Sequence, residues 1–309
     1  MAAGLLPLLL VLGTSLASSG FDLSRKVLGR HLAPVPMVFL LAAASVPLFG
    51  AALLATGGAH ATSAYWPPAL ASVLLNTAAN LAFIQSVRIA PLSSTVPLLS
   101  LTPATTALFG MLILGERPAP AALVGIALVI AGALWLNLSP HRPPSAAPPA
   151  VVAVPLPEAA GDDPRHRSTF RRPGAWLMAG TALLWSLSIP LDKLAVARAA
   201  PPFHGLVLTA GVALGTFAVL ASRGRLAELT GLRRGMAPFL CALLASTLDL
   251  GFQLLALRVV QVGVIETVKR GIGNLLAVLL GRIVFGEALT GPKLAAATLM
   301  AAGVALILL

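Results

Sequence analysis

Gly110-Met111-Leu112-Ile113-Leu114-Gly115-Glu116 and Gly281-Arg282-Ile283-Val284-Phe285-Gly286-Glu287 decide the fold between them. In each, a glycine stands five residues before the Gly of a Gly-Glu pair, and another follows 16 residues after the Glu, at Gly132 and Gly303. Upstream, Ser18, Arg25 and Arg30 align with Ser186, Lys193 and Arg198 at an offset of 168, against 171 for the Gly-Glu segments. Three residues of loop length absorb the difference. Alanine-rich and leucine-rich helices match by chance, so the glycine, glutamate and basic positions carry the argument. The chain is an internal duplication.

What is duplicated is a set of membrane spans. The 309 residues are 58% hydrophobic and 10% charged, with a mean hydropathy of +0.93, far from a soluble average. Apolar runs ended by charge, Gly or Pro fall near 4–24, 35–56, 66–86, 91–114 and 119–138, then near 174–197, 203–221, 236–256, 261–285 and 292–309. Each has about the length that a helix needs to cross about 30 Å of hydrocarbon. Met1 to Ser19 resembles a secretory h-region but has no Lys or Arg before its apolar stretch, so it reads as the first span. An odd number of spans per copy makes the second copy enter the membrane upside down. The expected fold is therefore all-α, ten transmembrane helices in two inverted five-helix repeats, residues 1–138 and 174–309. Between them, 139–173 holds nine prolines, five arginines and no helical period, the composition of an extended linker.

The net charge of +11 does not point to nucleic acid, because the 21 Lys and Arg are scattered singly or in pairs between apolar runs. They read as topology signals. Loops 1–2, 3–4, 5–6, 7–8 and 9–10 carry 14 of them and the opposite side four, which by the positive-inside rule puts the linker in the cytoplasm and both termini outside. The lone Cys241 excludes an intrachain disulfide, and the five histidines show no metal-ligand spacing and receive no role. No cofactor and no metal are expected, and no P-loop, nucleotide fingerprint or hydrolase motif is present.

Polar groups in hydrocarbon are costly and should face a cavity or one another. Span 1 has Ser15, Ser18, Ser19, Asp22 and Arg25 on one stripe; span 6 has Trp185, Ser188 and Asp192, and span 3 has Asn76 and Asn80. Span 8 has Ser246, Asp249 and Gln253, and span 9 has Glu266, Lys269, Arg270, Gly273 and Asn274 on what reads as a single face. Span 4 offers Thr95, Thr102 and Thr106 with Pro97 and Pro103 inside the helix, and Pro190 interrupts span 6. Spans 1, 3, 4, 6, 8 and 9 should enclose a polar path, with 2, 5, 7 and 10 outside. Lys269 and Arg270 lie roughly 5–6 Å from the middle of span 9, too deep for comfortable snorkelling. They either pair with Glu266, Asp249 or Asp192, or hold a substrate carboxylate or phosphate. The candidate substrate-binding set is Lys269, Arg270, Asn274, Ser18, Asn80, Trp185, Ser188 and Gln253. Asp249 and Glu266 are the candidate proton-coupling groups, and Glu116 and Glu287 should cap or pair at the turns into spans 5 and 10.

Two five-span halves, each with a Gly-Glu turn ending its fourth span and a Gly-bearing fifth span, and a Trp-Ser…Asp-Lys first span in the second half, resemble the ten-helix drug/metabolite transporter superfamily with EamA-type repeats. Val268-Lys269-Arg270 is similar to a variant among its bacterial members. The first repeat departs from the pattern in lacking a tryptophan in span 1 and in having Pro103 where the second has Asn274. The resemblance implies a multi-pass carrier of the inner cell membrane, commonly an exporter, moving a small polar or amphiphilic metabolite or drug by alternating access. Proton coupling or exchange would drive it, with the lipid bilayer as partner; a homo-oligomer stays open. A lipid or lipid-carrier flippase of the same fold is the alternative. An intramembrane enzyme on a lipid-phosphate substrate is the remoter one, for no catalytic residue stands out.

Overall fold

The computed structural model describes residues 2–58, 61–89, 96–138, 173–285 and 290–308. The described residues form ten α-helices: α1 (Ala2–Leu28), α2 (Pro34–Ala55), α3 (Trp66–Ile89), α4 (Thr102–Leu114), α5 (Pro120–Leu138), α6 (Pro173–Val196), α7 (Pro201–Ser222), α8 (Met236–Ala256), α9 (Val262–Phe285) and α10 (Gly291–Leu308). No strand occurs among them, although Ala61 and Ala199 form an isolated antiparallel bridge. Prolines open α2, α5, α6 and α7, where the missing N–H has no helical partner to lose. Leu54, Leu74, Leu112 and Leu214 are more than two-thirds exposed, the signature of a lipid-facing surface. Seven helices are long and apolar enough to cross a membrane; α9 has the length but carries Glu266, Lys269, Arg270 and Arg282.

One expected span is built differently. The run 91–114 reads as one helix with two internal prolines, whereas the described part is a 3₁₀ segment, Val96–Leu101, followed by α4. Pro103 cannot donate to the carbonyl four residues back and its ring crowds that carbonyl, so the α-helix begins there instead of running through. It still spans: six 3₁₀ residues at about 2 Å and 13 α-helical ones at about 1.5 Å give about 32 Å. Pro190 does lie inside α6.

The two halves interlock. The largest helix-helix interfaces are α3 with α6, α1 with α8, α5 with α10 and α2 with α7, each between one half and the other. Exchanging the halves turns α1 on α8 into α6 on α3 and leaves the other two pairs unchanged, the relation of inverted repeats. Gly132 and Gly303, equivalent in the duplication, serve the α5–α10 interface. A Cβ on Gly132 would lie 2.8 Å from the Ala296 carbonyl oxygen, and one on Gly303 2.7 Å from that of Gly125. Backbones that close exclude any side chain.

Turns 2–3, 4–5, 6–7 and 8–9 gather at one end of the bundle. The Thr62 N–H donates to the Arg198 carbonyl at 3.4 Å, and Gln261 Nε2 to the Arg117 carbonyl at 3.3 Å. At the other end Ser86 Oγ donates to the Gly174 carbonyl at 2.7 Å, tying the end of α3 to the start of α6.

Candidate functional site

Asp249 lies seven residues before the end of α8 at Ala256, and Lys269 seven after the start of α9 at Val262. The antiparallel pair therefore brings them to one depth, roughly 10 Å below the turn. Lys269 Nζ donates to Gln253 Oε1 at 2.6 Å and stands 3.6 Å from Asp249 Oδ1 and 3.7 Å from Glu266 Oε1. From α1, Thr14 Oγ1 donates to Asp249 Oδ1 at 2.8 Å. The side chains of Lys269 and Asp249 remain 21% and 16% exposed, so this charged centre is paired but not sealed. One cation faces two carboxylates, and an ionised cluster carries one negative charge in excess unless a proton or another cation joins it.

The single polar face expected on α9 divides. Neighbouring residues point about 100° apart, and Arg270 turns to α4, where its guanidinium donates to Thr102 Oγ1 at 3.1 Å. Asn274 Nδ2 approaches Met300 Sδ of α10 at 3.7 Å. Neither shares the contacts of Lys269. Of the other expected substrate-binding residues, Ser18 is half-buried one turn beyond Thr14 on α1. Asn80 donates to the Asn76 carbonyl, Trp185 packs on Phe83 with ring centroids 5.7 Å apart, and Ser188 is buried against the Trp185 carbonyl. Of these last three, Trp185 joins α6 to α3 through Phe83, while Asn80 and Ser188 bond within their own helices. The structure thus brings Lys269, Gln253, Asp249 and Glu266 into contact, while Arg270, Asn274, Asn80, Trp185 and Ser188 make contacts with other groups.

Glu116 was expected to cap or pair at the turn into α5; it pairs there with Lys193, and the helix it caps is α9. Gly115 ends α4 in the left-handed conformation, φ +66°, and the chain reverses. The Glu116 carboxylate accepts the Val262 N–H at 3.1 Å, capping α9, and Lys193 Nζ at 2.7 Å; Lys193 also donates to the Val260 carbonyl at 2.7 Å. An orphan donor at the start of α9 and the cation closing α6 outcompete the turn's own helix. Gly110 makes the room, since a Cβ there would meet Glu116 Oε2 at 2.8 Å. Glu287 lies outside the described residues, as does the linker 139–172.

A second polar cluster was not anticipated. His204, read as a span-edge residue without a role, and span 7, read as peripheral, supply its centre. His204 Nε2 is 3.0 Å from Asp192 Oδ1 and its Nδ1 is 3.1 Å from the Tyr65 hydroxyl. Ser72 Oγ donates to Asp192 Oδ1, and Asn76 Nδ2 to Ser72 Oγ at 3.1 Å. Tyr65, Ser72 and His204 are fully buried. The available signal was weak: Asp192 and His204 straddle a turn, and Tyr65 is the chain's single tyrosine. An open groove of about 590 Å³, lined by Ala82, Pro173, Trp176, Leu177, Gly180 and Leu184, is apolar and shares no residue with either cluster.

Residues 5–138 match the model described as the EamA-like transporter family. No curated protein matches the chain. A solved structure described only as "Crystal structure of protein" is 18% identical with a TM-score of 0.64, over 99% of this chain and 96% of the other, a likeness of fold. Residues 5–138 are thus similar to an EamA-like transporter, and the apolar helices of the described residues make the chain a multi-pass membrane protein.

Proposed function

We propose that the chain is a transporter of the drug/metabolite superfamily, a secondary exporter of a small polar or amphiphilic metabolite bearing an anionic group, which Lys269 receives. The observation that carries the reading is the charged centre itself: a cation at the depth of Asp249 and Glu266, partly open, on helices of the second half that pack against α1 of the first. In the empty carrier the two carboxylates and Gln253 keep the ammonium from being stranded. An arriving anion exchanges one ion pair for another, and the carboxylate it displaces takes up a proton as it loses its counter-charge. Asp249 and Glu266 are thereby the coupling groups. Anion and proton then travel together, so export follows the metabolite's own gradient or runs by exchange.

The remaining expectations join the reading. Residues 1–138 and 174–309 act as the two moving halves, joined by 139–173, in the inner cell membrane. The Lys193–Glu116 pair ties the ends of α6 and α9 to turn 4–5, so opening that end requires breaking it. With 14 of the Lys and Arg at the linker's end, that end faces the cytoplasm. A reporter fused after Leu309 and active only in the cytoplasm is expected to be silent.

A screen comparing deletion with overexpression identifies the substrate. Lys269→Met combined with Glu266→Gln should then restore membrane abundance while transport stays absent, and Lys269→Arg should retain part of it. Near wild-type transport by the double variant would overturn the anionic-substrate reading. In liposomes an imposed proton gradient should drive accumulation of the substrate, and Asp249→Asn should abolish that accumulation and leave exchange.

A further inference from the structure

The cluster around His204 has no part in that mechanism, and its composition is unusual for a membrane interior. It holds an acid, an imidazole and a phenol in direct line, with Asp192 2% exposed and Tyr65 and His204 not at all. The elements packed around it supply the rest of its surroundings. From α3 come Ser72 and Asn76, which do not titrate; from α7 comes His204 itself, and from the segment before α3 comes Tyr65. The charged residues that follow it on the chain are Lys193, committed to Glu116 and the Val260 carbonyl, and half-buried Arg198 past the end of α6.

We infer that Asp192, His204 and Tyr65 form a proton-binding site, separate from the Lys269 centre, whose occupancy sets how firmly the end of α6 is held to α3 and α7. The geometry accommodates either occupancy. With a neutral ring, Nε2–H donates to Asp192 and Nδ1 accepts the Tyr65 O–H. With a charged ring both N–H groups donate, and the Tyr65 oxygen accepts after its hydroxyl turns. One proton from water is gained or lost and no ring–partner contact is broken, but the charge of the sealed cluster changes from −1 to 0. In a low-dielectric interior that difference is large, because an acid facing only neutral donors becomes an acid facing a cation.

Its mechanical consequence follows from position on α6. Asp192 and Lys193 are adjacent and point about 100° apart, so one short segment carries both the proton site and the cation that closes turn 4–5 on α9. Pro190, just before them, deprives the Ser186 carbonyl of its helical donor, which lets the last turns of α6 move as a unit. Proton uptake should hold that segment in place, and proton loss should loosen it.

This inference goes beyond the transport reading and needs no substrate to test. Purified full-length protein in liposomes would be followed by hydrogen-deuterium exchange at a series of pH values from about 6 to about 8, around the ordinary imidazole value, with intrinsic rates corrected. The α6 end, residues 190–199, should exchange several-fold faster at the higher pH in wild type. In His204→Gln and Asp192→Asn that pH dependence should vanish, while peptides of α8 and α9 keep wild-type behaviour. Tyr65→Phe, which removes only a hydroxyl, should shift the midpoint without abolishing the change, and it decides the matter if the other two variants do not fold. Persistence of the wild-type pH dependence in His204→Gln, or an unmoved midpoint in Tyr65→Phe, overturns the assignment. Failure of the Lys269 reading leaves these outcomes unaffected.

Discussion

The α1–α8 and α3–α6 interfaces occupy equivalent places in the duplicated bundle, and each sets a hydroxyl of the first half against an aspartate of the second. At α1–α8 the pair is Thr14 and Asp249; at α3–α6 it is Ser72 and Asp192. Their surroundings differ in a way that determines their chemistry. Asp249 stays 16% exposed beside a lysine and a second carboxylate, whereas Asp192 is sealed with a histidine as its basic neighbour. An open acid with a strong counter-charge can trade partners with a solute. A sealed acid with an imidazole can trade only a proton. Duplication thus supplied one interface twice, and divergence of a few side chains gave its two aspartates different partners.

The comparison breaks most severely at Lys269. Lys269→Met leaves Asp249 and Glu266 facing each other without their cation and should cost about 3–5 kcal/mol of stability, read as lost membrane abundance and earlier denaturation in detergent. An unchanged melting profile would mean that the centre is hydrated enough not to need its lysine.

Removing each hydroxyl sharpens the contrast. Ser72→Ala deletes a donor to a carboxylate that water does not reach, and a charged hydrogen bond of that kind is worth about 1.5–3 kcal/mol. Thr14→Val deletes the equivalent donor to a carboxylate that stays 16% exposed and keeps Lys269 beside it, so about 0.5–1.5 kcal/mol is expected. Denaturant titrations of the two variants in mixed micelles should therefore rank Ser72→Ala as the more damaging. The reverse order would place the seal at the wrong interface.

The smallest effect belongs to the linker. Exchanging Pro143–Arg167 for a Gly/Ser segment of equal length should leave transport and abundance unchanged, because sequence without a helical period needs only to bridge the halves. Lost activity at normal abundance would give the segment a docking role.

Ten spans, their boundaries within a few residues, and the inverted duplication were legible because hydrocarbon imposes a length and a polarity on every crossing. The charged centre was legible too, since Asp249, Glu266 and Lys269 are conspicuous against their apolar runs. The role of His204 was not. In the chain it is one of five histidines near span edges, and nothing local separates it from His31, which lies against Gly235 at the other end. Glu116, expected to cap or pair at its turn, shows the same boundary in its choice of partners, Lys193 and the start of α9. Its side chain was known to stand at a helix end, but the N–H groups of several helices were in reach.

By itself, then, the sequence determined what must cross the membrane and which residues are costly there, because burying a charge or an unpaired amide carries its penalty wherever the chain goes. Only the tertiary structure decided which costly group meets which. A hydrogen bond or ion pair acts over about 3–4 Å, whereas Tyr65 and His204 are 139 residues apart in sequence, and Thr14 and Asp249 are 235. Their meeting depends on the interlocking of the two halves, which brings α3 to α6 and α1 to α8, and no pattern within a single span specifies it.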